Sequence, residues 1–330
     1  MAMARLGAAA VTGLAALIIT GLASACAQTF PARQITIVVP FAAGGPSDAM
    51  ARLIADGMSG AAGTRVLVEN MPGAGGTTGS ARVARAEADG HTLVFGNIGT
   101  HAANVGLFKK LPYDPTTDFA PVALVANVPL VISVKTAHPA RSFGEFVAMA
   151  RARPGELTYG SAGIGSASHL GCLLLDAALA SKARHVPYRG AGPALNDLVA
   201  GQIDLMCDQT VTMMPQIAGN TIRPLATLSR QRLAALPDLP TVSEHGIAGV
   251  EVEVWNAIFA PSGTPAASVD KLFDMIAAAQ ADASLRKRFA DLGAVVPSRE
   301  AAGPAALKAL VVSEVERWKS VLRDAGVVPQ

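Results

Sequence analysis

Residues 161–170 read SAGIGSASHL, three serines and two glycines without a fixed charge, between a strand-like ELTY and a helix-like LGCLLLDAALA. Hydroxyls and backbone N–H groups at the mouth of a helix do one kind of chemistry well: they hold an anion. The first N–H groups of a helix lack intrahelical partners and together carry a partial positive charge. Glycines let a ligand come close to that backbone. Two more loops share the character, FAAGGPSD (41–48) and RGAGPA (189–194). Each lies between an apolar run and an amphipathic one, where open α/β sheets bind ligands. One such loop alone reads first as a turn and a cap. Three together point to a carboxylate-binding nest built from uncharged donors.

Other chemistries meet specific obstacles. GAGGTTG (73–79) has Thr78 where the third glycine of a dinucleotide fingerprint belongs. No phosphate-loop lysine motif is present. In YGSAG, Ser161 directly follows Gly160, so the nucleophile-elbow pattern G-x-S-x-G is not met. His91, His101, His138, His169, His185 and His245 show no paired metal-ligand spacing, and no C-x-x-C occurs. His169, just inside a helix, reads as a pocket wall or a packing residue before a base. Asp48 reads first as a helix cap and second as a ligand contact. Asp208, at the end of the strand IDLMC, reads equally as cap or pocket. Trp255 reads as core. The Met213–Met214 pair reads as packing before an apolar wall for a ring. A hydrolase or transferase using Ser161 or Ser166 remains as an alternative without a recognisable base.

The elements that must position these loops follow from periodicity. QITIVVP (34–40), RVLVEN (65–70) and HTLVFGN (91–97) are buried-type strands. The helix SDAMARLIADGMS follows the first, with Ser47 or Asp48 as its N-cap, and TTGSARVARA follows the second. This β-α-β-α-β order predicts a parallel, doubly wound sheet. PVALVA and LVISV (130–134) read as further strands, and Ser142 with Glu145 has the spacing of a capping box. A second β/α series runs to RPLATL, after which VEVWNAIFAP is a strand and helices span 265–280, 282–292 and about 301–325. The fold expected is α/β with two doubly wound sheets joined by a hinge, and a ligand cleft between them. Returning the strand at 251–260 to the first sheet gives one discontinuous domain, 28–130 plus 252–330, and a second, 131–251. The crossings near 128–134 and 222–252 would form the hinge.

Composition narrows the class. The chain has 330 residues, 51% hydrophobic and 16% charged, with a net charge of +2. That suffices for two cores and is too little charge for a nucleic-acid footprint. Arg5 precedes an uncharged run to Arg33 that ends in the small residues ACA. It reads as a cleavable leader, residues 1–27, cut after Ala27. An uncleaved anchor and a lipoprotein with Cys26 at its mature terminus are the alternatives. Export leaves Cys172 and Cys207, either paired or as two buried thiols.

The loops also resemble, in order, those of the extracytoplasmic solute receptors of tripartite tricarboxylate transporters, the Bug-type receptors. The stretches that carry the resemblance are IVVPFAAGGPSDAMAR, VENMPGAGGTTG, NIGTHAAN, LPYDPTTDFAPVALVA, LTYGSAGIGSASHL, HVPYRGAGPALNDLVAGQIDLMCD and LPDLPTVSEHG. It implies a two-lobed periplasmic binding protein, a monomer without cofactor or metal. Such a receptor closes on a small carboxylate, a dicarboxylate or an aromatic acid, and passes it to membrane components. One carboxylate would be held by Ser161, Gly163, Ser166, Ser168 and the neighbouring His169. Phe41, Ala43, Gly44, Gly45 and Asp48 would close over it. Asn97 and Thr100 would lie near the cleft, with Asp208 at its far end. A sensor that presents a carboxylate to a membrane signalling partner is the alternative role.

Overall fold

The structure, a computed structural model, describes residues 30–329. The expected leader, its cut after Ala27 and Cys26 lie outside the described residues. The first sheet holds β1 (Ile35–Val39), β2 (Val66–Asn70), β3 (Thr92–Asn97), β9 (Glu253–Pro261) and the first part of β4 (Phe119–Lys135), in the order β2-β1-β3-β9-β4. β1 runs parallel to β2 and β3, whereas β9 runs antiparallel to β3 and β4. The second sheet holds the last part of β4 with β5 (Thr158–Ser161), β6 (Arg184–Pro187), β7 (Leu205–Gln209) and β8 (Ile222–Thr227). β5 is parallel to β6 and β7, and β4 sits antiparallel between β7 and β8.

PVALVA and LVISV are therefore not two strands but parts of one 17-residue strand. Pro129 between them suggests a break, since proline cannot donate to a ladder. It falls where β4 leaves β9 and takes up β7 and β8, so the strand changes partners there without ending. The chain returns beside it, where Leu228 N–H donates to Leu130 O and Val252 N–H to Leu228 O.

Helices cover both sheets. They are α1 (Pro46–Ala62), α2 (Thr77–Ala84), α3 (Phe143–Ala152), α4 (Ala167–Leu179), α5 (Ala191–Ala200), α6 (Thr210–Ala218), α7 (Ala266–Ala281), α8 (Ala283–Asp291) and α9 (Pro304–Asp324). β1 reads as a continuous apolar run because helices cover both its faces, and Ile35, Ile37, Val38 and Val39 are fully buried. α1 lays Met50, Ile54 and Met58 on one face of the first sheet. α9 buries Leu307, Val311, Val315, Trp318 and Leu322, spaced at helical period, in the core of the opposite face. Each such side chain contributes about 1.5–3 kcal/mol of burial.

α1 begins two residues earlier than the sequence suggests. Gly45 is its N-cap and Pro46 opens the first turn, where proline's missing N–H costs nothing. After β3, Gly99–Ala103 makes one wide helical turn. Cys172 and Cys207 form a disulfide with Cα atoms 5.4 Å apart, tying the second turn of α4 to β7.

Candidate functional site

The carboxyl ends of β1, β5, β6 and β7 converge, and so do the N-termini of the helices that follow them. Four helix starts border one cavity: Gly45, Pro46 and Ser47 at α1, Ser166, Ala167 and Ser168 at α4, Ala191 at α5, and Asp208 and Gln209 at α6. Phe41, Asn97 and Ala162 complete the wall, and no lysine, arginine or histidine lines it. Each helix start supplies about half a positive charge, so together they provide about +2 without a cationic side chain. The cavity measures about 20 Å³ in this conformation, room for roughly one water molecule. The two sheets are thus drawn together over it.

The serines divide the work. Ser166 caps α4, accepting the His169 N–H, and its hydroxyl donates to Gly163 O at 2.7 Å. Ser161 is fully buried and does not line the cavity. Its Oγ accepts the Gly163 N–H at 3.1 Å and lies 2.6 Å from His185 Nε2. With no other acceptor in reach, the Ser161 proton goes to that nitrogen. Ser168 Oγ accepts the Ala162 N–H at 2.9 Å and sits 3.2 Å from Ser166 Oγ. Because the Ser166 proton goes to Gly163 O, Ser168 is the donor of that pair, and its hydroxyl, which lines the cavity, can turn to a ligand instead. The loop turns through Gly163 and Gly165, both at positive φ, which side chains resist.

His169 lies behind this loop, where its Nδ1 accepts the Gly165 N–H at 3.2 Å. Its ring centroid is 4.4 Å from that of His185. Burial pushes His169 down to about 3, helped by His185, and burial alone pushes His185 down to about 4. Both imidazoles are therefore neutral at pH 7 and serve the loop as acceptors. Sequence reasoning missed His185. Its signal lay in the parallel pairing of β5 with β6, where Tyr159 faces His185 and Ser161 lies two residues on. A serine 2.6 Å from an imidazole resembles a nucleophile and its base. Here the hydroxyl is spent inside the loop, away from the cavity.

Asn97 lines the cavity with its amide orientation fixed. Its Oδ1 accepts the N–H groups of Gly99 and Thr100 at 2.9 and 3.3 Å, which leaves Nδ2 for a ligand. Thr100 lies one layer deeper, fully buried, and accepts the Asn97 N–H at 3.0 Å. Gln209 was also missed, although it ends β7 and caps α6. Its Oε1 accepts Asn256 Nδ2 from β9 at 2.8 Å, so its own Nε2 remains as a donor. Asp208 is 2% exposed. Burial pushes its carboxyl up to about 7, against hydrogen bonds from the Thr212 hydroxyl and the Gln209 N–H.

The remaining expected residues stand outside the cavity. Asp48 is neither the N-cap nor a lining residue. It accepts the Gly44 N–H at 3.1 Å, Asn70 Nδ2 at 2.9 Å and Arg52 at 2.9 Å, bracing the loop. Burial works to raise its pKa, but Arg52, Gly44 and Asn70 together hold it below the usual carboxylate value. Ala43 and Gly44 are exposed at the loop tip. Ala42 N–H donates across the cleft to Arg189 O at 3.1 Å. Glycines let the two sides meet. Gly75 and Gly99 face the carbonyls of Ile164 and Gly165 with no room for a Cβ, and Gly190 and Gly192 stand against Ala42 and Ala43. Met213 is fully buried and lies with Met214 away from the cavity wall, and Trp255 is core. Among the described residues no group of three or more His, Cys, Asp or Glu could hold a metal ion, and no helix is long and apolar enough to cross a membrane.

Comparison with known proteins identifies the family. Residues 50–327 match the tripartite tricarboxylate transporter family receptor, TctC. A protein of Agrobacterium vitis, described as a UPF0065 protein in the TAR-I ttuE-ttuC' intergenic region, is 42% identical over 299 residues, 91% of this chain and 86% of that protein. The structure of the periplasmic binding protein BugD superposes with a TM-score of 0.89 at 40% identity, over 91% of this chain and all of that one. MatC from Rhodopseudomonas palustris, solved with bound malate, superposes with a TM-score of 0.86 at 42% identity, over 89% of this chain and all of that one. The chain belongs to the tripartite tricarboxylate transporter receptor family, of the Bug type. It has the two-lobed periplasmic binding protein fold and is a solute-binding receptor, not an enzyme.

Proposed function

We propose that this receptor works in the periplasm, where it captures a small carboxylate by closing its two lobes and hands it to the membrane components of a tripartite transporter. The lobes are residues 28–130 with 252–330, and residues 131–251, and they move about the crossings of β4 and of the return chain near Leu228 and Val252. One observation carries the reading. Four helix N-termini, Ser168, Asn97 and Gln209 direct donors at one cavity that no cationic side chain lines. Such a site suits an anion that must later be released. Hydrogen bonds to a charged group contribute about 1.5–3 kcal/mol each. Several of them, less the ordering cost, support micromolar affinity, about 8 kcal/mol. The malate held by MatC fits the same chemistry. Titration calorimetry against malate, succinate, adipate and benzoate tests the proposal, with their methyl esters as controls. Acids that bind while esters do not, with compaction in small-angle scattering, are expected. Equal binding of acid and ester would overturn the anion reading.

A further inference from the structure

The cavity wall holds one group of the wrong kind for an anion site. Asp208 is a buried carboxyl on a wall otherwise made of donors, with no cationic side chain beside it. Asp208 lines the same small cavity as the four helix starts, so a ligand carboxylate drawn to those donors comes close to it, and neighbouring carboxylates resist both being ionised. We propose that Asp208 meets the ligand as a carboxylic acid, so that seating a dicarboxylate in this cleft takes up one proton from solvent. This rests on the carboxylate reading above and adds the charge state and the ligand class to it.

The charge balance supports a diacid. Four helix N-termini supply about +2, which matches a dianion once Asp208 is neutral and only a monoanion if Asp208 is ionised. The local bonds fit as well. Thr212 donates its hydroxyl to Asp208 Oδ2 at 2.6 Å, and no basic side chain pairs with the carboxyl. Ionisable groups on the surrounding elements are Lys135 on β4, Tyr159 on β5, Arg184 and His185 on β6, and Arg223 on β8. The helices and β9 add His169 and Asp176 on α4, Asp197 on α5, Asp48, Arg52 and Asp56 on α1, and Glu253. None of them contributes to the upward shift of Asp208, which burial dominates. The free receptor therefore titrates Asp208 near neutral pH, and a bound dianion pushes it further up.

The test is titration calorimetry of the intact receptor with the tightest binder among malate, succinate, glutarate and adipate. It is run at pH 6.5 and pH 8.5 in two buffers of different protonation heat. These acids are fully ionised at the higher pH, so a change in affinity reports the protein. The expected dissociation constant rises about 25-fold between the two pH values, with close to one proton taken up per ligand at pH 8.5. Asp208→Asn, which cannot ionise, loses the pH dependence and the proton uptake. A wild-type affinity that is flat with pH, with no proton uptake, overturns the proposal and leaves the carboxylate reading intact. Binding lost in Asp208→Asn at both pH values overturns it too, because the ionised carboxylate would then be accepting a donor from the ligand. Silence of every acid at every pH overturns both readings.

Discussion

Gly190→Ala tests closure at one atom. Gly190 follows β6 and faces the first-sheet loop at Ala42. Its backbone is extended, with φ 172, so alanine fits it without strain. A Cβ there would lie 2.8 Å from Ala42 N, 2.9 Å from Ala42 Cβ and 3.2 Å from Ala42 Cα. Ordinary contacts need about 3.5–4.0 Å, so the lobes must part by up to about 1 Å at this point. The bond from Ala42 N–H to Arg189 O, now 3.1 Å, would stretch beyond hydrogen-bonding range. Losing it costs about 1 kcal/mol, and the overlap costs at least about 1 kcal/mol more. Both fall on the closed form only, so the apparent dissociation constant rises about 30-fold or more. Calorimetry with a bound acid reads that change, and scattering reads a less compact liganded form. Gly60→Ala is the control, because nothing stands within 4 Å of a Cβ there. Unchanged affinity in Gly190→Ala would mean that the contact is absent from the liganded state. A ligand-free melting point lowered as far as by a core substitution would mean that the contact is static interior, and the closure argument would fail.

Three other outcomes are expected. Ser168→Ala removes a hydroxyl donor from the cavity and weakens acid binding about 10- to 150-fold, and it lowers the melting temperature because the buried Ala162 N–H loses its acceptor; wild-type affinity by calorimetry would place the carboxylate elsewhere. Asp208→Asn stabilises the ligand-free protein above neutral pH. The folded pKa lies near 7 against an ordinary value of 3.8, so the unfolded chain ionises first and wild-type stability falls between pH 4 and 7. Urea melts should show a gain of up to about 4 kcal/mol at pH 8 and none at pH 4, and an equal gain at both would remove the burial argument. Reducing Cys172–Cys207 opens a loop spanning 35 residues. That costs about 4 kcal/mol, read as a lower urea midpoint, and an unmoved midpoint would show that the bond does not constrain the unfolded chain.

What was legible in the sequence was local. The N-cap role of Ser142 follows from its capping-box spacing to Glu145. The strands β1, β2 and β3 followed from apolar runs, and the glycine-rich loops from their place between strand and helix. What was not legible depends on register. His185 reaches Ser161 only because β5 and β6 pair with Tyr159 opposite His185. Gln209 is oriented only because β9 brings Asn256 within 2.8 Å of it. The unbroken course of β4 depends on partners more than 70 residues downstream, and no window over 119–135 contains them. Asp48 illustrates the reverse error. A polar residue at a helix start suggests a cap, but Pro46 takes the first position and leaves Asp48 to brace the loop through Arg52 and Asn70.

The two halves of the site differ in how they are held, and this bears on release. In the second sheet, Ser166, Ser168, His169 and His185 lock the loop through hydrogen bonds within one lobe. The Cys172–Cys207 disulfide ties α4, whose start borders the cavity, to the strand that carries Asp208. That half is organised before a ligand arrives. The contribution of the first sheet, Phe41, Gly45 to Ser47 and Asn97, would reach the proposed anion only when glycine meets backbone across the cleft. Under the proposed closure, opening strips away part of the donor set while the rest stays in place, and the ligand is exposed to water without unfolding its own loop. A lysine in the fixed half would hold the anion through that opening, whereas dipoles shared between the lobes lose their grip as the lobes part.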